Sequence, residues 1–189
     1  MKVFLLTLEF ALEEKPKWLD GFRSKYDEPF NYHISLKYPT LIKKNDLPKI
    51  RSEIKRIAKA NKPLKIEFDE YLFNKTKTGN LIMVSAKHNK DIFRLQKMVV
   101  NELGVFGETL KPYYNDFENN FIPHISIARK LSNGVFQIAK NELKEPIYCV
   151  AKITKLALTV VDENHTVDDF LNPKNTTYYD LGDSLDRSS

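Results

Sequence analysis

Apolar positions in this chain change period along its length, and the changes outline two passes through one order of elements. Residues 2–10 read as a buried strand, and residues 15–26 as an amphipathic helix with Trp18, Leu19, Phe22 and Tyr26 at helical spacing. Residues 32–38 alternate as a strand. Residues 46–60 have a helix-like start, with Asp46 as N-cap and Ile50, Ile54, Ile57 and Ala58 on one face, and Pro63 precedes a strand over 64–73.

After a turn signal at Gly79-Asn80, the second pass repeats this order: an apolar strand over 81–86, then a helix over 90–103 with Ile92, Leu95, Val99 and Leu103 inward and Gly104 closing it. A strand over 121–128, a helix over 133–143 and one long strand over 147–161 follow. Each pass therefore reads strand, helix, histidine-bearing strand, helix, strand, although no sequence identity joins the halves beyond the motifs described next. The polar and aromatic stretch 104–120 is too long for a routine connection and is expected to face a substrate. Beyond residue 172, Tyr178 and Tyr179 suit a short edge strand, and 183–189 a frayed end.

His33-Ile34-Ser35 and His124-Ile125-Ser126 fall in the same element of the two passes. Residues two apart in a strand share a face, so each strand buries its aliphatic residues and presents an imidazole with a hydroxyl on the other side. If the halves pack about a pseudo-two-fold axis, the two polar faces meet across a cleft. Transfer at a phosphate diester needs one group to take a proton from the nucleophile and another to give one to the leaving oxygen. Histidine suits both roles, because an ordinary pKa of about 6.5 lets one ring be neutral while the other is protonated. Each serine hydroxyl can donate to a non-bridging oxygen, so the chemistry requires neither metal nor cofactor. A single His-x-Ser on a strand says little; two in matching elements, using half of the four histidines, point to a site.

Composition narrows the partner. Thirty Lys plus Arg against 25 Asp plus Glu leave a net charge of +5, a moderate basic excess that suits a phosphate-bearing ligand and not a protein that coats duplex DNA. The basic run 49–62 lies on the outer face of a helix and reads as solvated. Cys149 is the one cysteine, which excludes an internal disulfide, fits a reducing compartment and reads as a buried core thiol. Glu9 interrupts the opening apolar run, so it reads as a strand and not a signal peptide, and no stretch approaches the roughly 18 apolar residues of a membrane span. The expectation is a cytoplasmic monomer with no membrane association. His88 and His165 have no partner at metal-ligand spacing and read as surface histidines.

The strings His33-Ile34-Ser35-Leu36-Lys37-Tyr38-Pro39 and Pro123-His124-Ile125-Ser126-Ile127-Ala128-Arg129 resemble the paired His-x-Ser/Thr-aliphatic motifs of the two-histidine (2H) phosphoesterase superfamily, and within it the 2′-5′ RNA ligase or LigT-like branch. The resemblance runs from residue 3 to about residue 161 in element order, with residue-level matches only in the motifs. It implies an α+β fold: one bilobal domain over 1–189, with pseudo-symmetric β-α-β-α-β lobes (about 1–75 and about 79–165, then a tail from 172) and antiparallel sheets around a central cleft. It also implies opening of 2′,3′-cyclic nucleotide or RNA-end phosphates to 2′-phosphates, with 2′-5′ RNA ligation or cleavage in some members. His33, His124, Ser35 and Ser126 carry over as the catalytic set, serine standing where threonine is commoner.

Arg129 stands where family members often have an arginine that contacts phosphate, although strict alternation turns it away from His124 unless the strand ends or twists there. Lys37 shares the face of His33 and could neutralise phosphate. Tyr114, with Tyr113 and Phe117, could stack on a base. The chain has no nucleotide-activating lysine motif, so joining would be the reversal of cleavage. Alternatives are a 2′-5′ oligonucleotide or cyclic-dinucleotide phosphodiesterase, or a non-catalytic RNA or nucleotide binder on the same fold.

Overall fold

In the computed structural model, which describes residues 1–27, 31–76 and 79–182, the first pass runs β1 (Lys2–Phe10), β2 (Leu12–Glu14), α1 (Leu19–Tyr26), β3 (Tyr32–Ile42), α2 (Leu47–Ala60) and β4 (Leu64–Thr76). The second runs β5 (Gly79–Ala86), α3 (Lys90–Leu103), β6 (Gly107–Thr109), α4 (Tyr113–Asn119), β7 (His124–Leu131), α5 (Asn133–Glu142) and β8 (Cys149–Ile153). Then come β9 (Lys155–Asp162), α6 (Val167–Leu171) and β10 (Thr176–Asp180). The frayed end expected over 183–189 lies outside the described residues.

The strands form two five-stranded antiparallel sheets, in the orders β10-β9-β1-β3-β6 and β2-β8-β4-β5-β7. The α+β, two-sheet architecture is as expected, but the chain does not divide between the sheets near residue 75. β4, the last strand of the first pass, pairs with β5 and β8, while β9 returns to pair with β1. The helices are exchanged in the same sense. α1 packs on β7 and α3 on β3, whereas α2 packs on β9 and β10, in the sheet of β1 and β3, and α5 on β5 and β7. The first half thus lends α1, β2 and β4 to the other sheet and the second half lends α3, β6 and β9, so the two sheets are interlocked.

The expected long strand over 147–161 is two strands that part at Thr154 and join different sheets. Cys149, Val150, Ala151 and Ile153 are buried in one sheet and Leu156, Ala157 and Leu158 in the other, so the apolar run is continuous although the pairing partner changes. Periodicity reports burial, not the identity of the neighbouring strand. Within 104–120 the chain forms β6 and α4, short elements whose patterns are too brief to read.

The inward faces of the sheets and helices share one apolar cluster that includes Phe4, Leu6, Leu8, Ile34, Leu36, Phe68, Ile82, Val84, Ile125 and Ile127. Ile34 and Ile125, the middle residues of the two motifs, are 1% and 0% exposed, so each anchors its strand while the flanking histidine and serine turn the other way. Truncating either to alanine would cost about 2–5 kcal/mol. Cys149 is buried, as expected, and its thiol is pushed up to about 11 by that burial. The basic residues of α2 lie on its exposed face. Among the described residues, no helix is long and apolar enough to cross a membrane.

Candidate active site

β3 and β7 bring the two motifs to one cavity of about 310 Å³, whose wall includes His33, Ser35, His124 and Ser126. Tyr38, Phe117 and Phe121 contribute rings, Leu72, Leu81, Met83 and Ile122 apolar surface, and Asn74 and Asn120 amides. The wall contains no lysine or arginine among the described residues.

The two imidazoles are held alike. His33 Nδ1 lies 2.9 Å from the Asn31 carbonyl oxygen, and His124 Nδ1 lies 2.7 Å from that of Ile122. A carbonyl only accepts, so in each neutral ring Nδ1 carries the proton and Nε2 holds the lone pair. Burial depresses both rings below the ordinary histidine value, since an imidazolium is poorly solvated there. At His33 the guanidinium of Arg129 and the other imidazole lower it further, opposed by the Asn31 carbonyl and by the Glu9 carboxylate. Glu9 sits opposite His33 on β1 and accepts a hydrogen bond from the Tyr178 hydroxyl at 3.0 Å. At His124 the Ile122 carbonyl is the opposing influence.

Both strands then bulge at the same place. In β3 the register with β1 shifts between Ser35 and Lys37, and in β7 the register with β5 shifts between Ser126 and Ala128. One extra residue reverses which way later side chains point. Leu36 and Lys37 are therefore both buried, as are Ile127 and Ala128, and the residue five places after each histidine returns to the histidine's face. In β3 that residue is Tyr38, and in β7 it is Arg129.

This corrects the reading of Lys37. It does not reach the cavity: it is 3% exposed, and its Nζ donates to Glu118 Oε2 and Oε1 on α4 at 2.7 and 3.0 Å. Arg129 is turned back toward the site by the bulge, and its charge reaches His33. Its Nε donates to Asp27 Oδ1 at 2.6 Å, a carboxylate only 1% exposed that also takes Arg23 at 3.4 Å. Tyr114 does not line the cavity; it stacks behind Tyr38, with ring centroids 5.1 Å apart. Burial pushes the hydroxyls of both Tyr38 and Tyr114 up to about 12.

The aromatic wall is thus Tyr38, Phe117 and Phe121, of which the sequence points to Phe117 alone. Asp27, Glu118 and Glu9 are not legible in it either. His88 is exposed and stacks on Phe93, and His165 Nδ1 donates to the Asp162 carbonyl of its own turn; neither lines the cavity.

Comparison with known proteins bears on the fold and the family. A protein of Geobacillus kaustophilus (strain HTA426) named as a phosphoesterase is 28% identical over 128 residues, which are 66% of this chain and 68% of that protein. The crystal structure of E. coli LigT complexed with 3′-AMP superposes with a TM-score of 0.55 at 14% identity, covering 95% of each chain. That of TT0787 of Thermus thermophilus gives 0.57 at 15% identity, covering 96% of this chain and 95% of the other. Identities this low speak for the fold alone. Residues 13–165, which contain both motifs, match the model of one family, and the chain belongs to it: the 2′-5′ RNA ligase superfamily.

Proposed function

We propose that the chain is a metal-independent phosphodiesterase that opens 2′,3′-cyclic nucleotide or RNA-end phosphates to 2′-phosphates, with His33 and His124 as base and acid. The observation that carries this reading is the matched pair of imidazoles. Each is fixed through Nδ1 to the carbonyl two residues upstream, each has a serine on its own strand face, and all four side chains line one cavity. A neutral ring held this way exchanges protons through Nε2, the geometry a general base or acid needs.

Arg129 distinguishes the two rings. Its charge, opposed by Glu9, acts against the imidazolium at His33, and on that asymmetry we assign His33 as the base that takes a proton from water. The resulting hydroxide oxygen bonds to phosphorus, the bond from phosphorus to the 3′ oxygen breaks, and His124 gives that oxygen its proton. Ser35 and Ser126 donate to the non-bridging oxygens as their charge grows. The two hydroxyls in the wall and the field of Arg129 behind it offset the phosphate's charge, the described wall residues including no lysine or arginine. The cavity is at the small end of the ligand-pocket range, about 300–1,000 Å³, which suits one nucleoside with its phosphate. The LigT structure with 3′-AMP is consistent with a nucleotide in such a cleft.

The test is hydrolysis of 2′,3′-cyclic AMP in EDTA, with the product's phosphate position assigned by phosphorus NMR. Wild type is expected to yield the 2′-phosphate, and the His33→Ala/His124→Ala double variant to yield none above background. Equal turnover by the double variant would sink the proposal, and nucleotide binding without turnover by wild type would favour a binding protein instead.

A further inference from the structure

A buried ion pair needs a reason, because desolvating two charges costs more than most surface contacts return. Lys37 and Glu118 are each 4% exposed at the side chain, and their contact joins the strand of His33 to α4. Glu118 is fully engaged: its carboxylate takes Lys37 Nζ through both oxygens and the Tyr38 backbone N–H at 2.9 Å, while its carbonyl accepts from Gln96 Nε2 at 3.0 Å.

What this cluster holds is the aromatic side of the cavity. α4 spans seven residues, too few to be stable as a helix unaided. Concavities of about 510 and 460 Å³ border it at Glu118 and Asn119, so its packing on β3 is concentrated in a few side chains. Yet α4 carries Phe117, which lines the catalytic cavity, and Tyr114, which stacks on Tyr38. Tyr38 and Phe117 are themselves in ring contact, with centroids 5.5 Å apart. Glu118 therefore binds the backbone of one wall residue and belongs to the helix of the other.

We propose that Lys37 and Glu118 are positioning residues that align Tyr38 and Phe117 as the wall for the substrate's base, and so make the enzyme select base-bearing cyclic phosphodiesters over base-free ones. The inference rests on the phosphodiesterase reading. His33 and Ser35 precede the bulge and His124 and Ser126 lie on another sheet, so the wall can shift without moving the groups that do the chemistry.

The experiment compares kcat/KM for 2′,3′-cyclic AMP with that for methyl ribofuranoside 2,3-cyclic phosphate, which has the same reacting atoms and no base. Wild type is expected to prefer the adenosine substrate. Lys37→Met/Glu118→Leu leaves no unpaired buried charge, which keeps the fold accessible. In it, the ratio of the two values is expected to fall about tenfold, the scale of one lost base–aromatic stack, with the loss in KM and not in kcat. Lys37→Met/Glu118→Gln likewise leaves no unpaired buried charge but keeps an acceptor for the Tyr38 N–H, and is expected to fall between. An unchanged ratio, or equal losses of kcat on both substrates, would overturn the proposal. Should wild type turn over neither diester, the phosphodiesterase reading fails by itself. Calorimetric affinity for 2′-AMP relative to inorganic phosphate then decides the positioning claim, with the same tenfold fall in ratio expected and an unchanged ratio against it.

Discussion

β3 and β7 are the same device used twice. Each presents a histidine and a serine, ties the histidine to the carbonyl two residues upstream, and bulges directly after the serine. They differ in what the bulge delivers. After His33 it buries Lys37 against Glu118 and brings Tyr38 to the cavity; after His124 it buries Ala128 and brings Arg129 to the histidine's side. On the proposed function the shared geometry supplies the proton chemistry, and the residue five places on sets whether a strand adds a ring to the wall or a charge beside the histidine.

The comparison breaks most completely at the shared part. His33→Ala and His124→Ala should each lower kcat on 2′,3′-cyclic AMP by about 10²–10⁴-fold, with KM little changed, in steady-state assays. Where the strands differ, the effects should differ in kind. Arg129→Met removes the shorter of the two arginine contacts to the buried Asp27 and should cost about 3 kcal/mol of stability in urea titrations. It should also let the His33 pKa rise, seen as a titration of its ring proton signal at higher pH than in wild type. Tyr38→Leu, on the other strand, should raise KM about tenfold and leave kcat and the His33 titration close to wild type. Tyr114→Leu, which removes only the ring behind Tyr38, should raise KM by about two- to threefold.

A pH series sharpens what the strands have in common. Both imidazoles are held below their ordinary value by burial, so the form with one ring protonated is scarce in the free enzyme at neutral pH. The kcat/KM profile should therefore peak on the acid side of about 6.5. The same depression links to stability. The unfolded chain takes up protons at the ordinary histidine value before the fold does, so stability is full above that value and falls as pH drops through it toward the depressed ones. Thermal melts from pH 8 to pH 5 should show that fall, and it should flatten in His33→Gln/His124→Gln.

His33, Ser35, His124 and Ser126 are legible because strand alternation holds from histidine to serine in both motifs. It fails one residue later, which is why Lys37 reads as a phosphate ligand and Arg129 as an outward residue. In β7 the failure leaves a trace, two successive apolar residues at Ile127 and Ala128. In β3 the matching residue is a lysine, and nothing in the sequence tells that it is buried until Glu118, eighty-one positions away, is known to meet it. Tyr114 stands out in the sequence because the stretch 104–120 is rich in aromatics, whereas Tyr38, an aromatic on the motif strand itself, reads as part of an ordinary strand. The order of elements is readable in both passes, but the exchange of α1 with α3 and of β4 with β9 is not, because burial looks the same whichever sheet supplies it.

The division of labour between the two strands is tested most directly by changing the leaving group. Removal of the general acid matters little when the departing oxygen is a 4-nitrophenolate, which leaves without a proton, whereas the base is needed for either substrate. Turnover of 2′,3′-cyclic AMP and of a nucleoside 4-nitrophenyl phosphodiester should therefore be compared in His33→Ala and His124→Ala. The prediction is that His33→Ala loses activity on both substrates, while His124→Ala loses it on the cyclic nucleotide and largely recovers on the nitrophenyl ester. Equal losses on both substrates in both variants would contradict a base on one strand and an acid on the other.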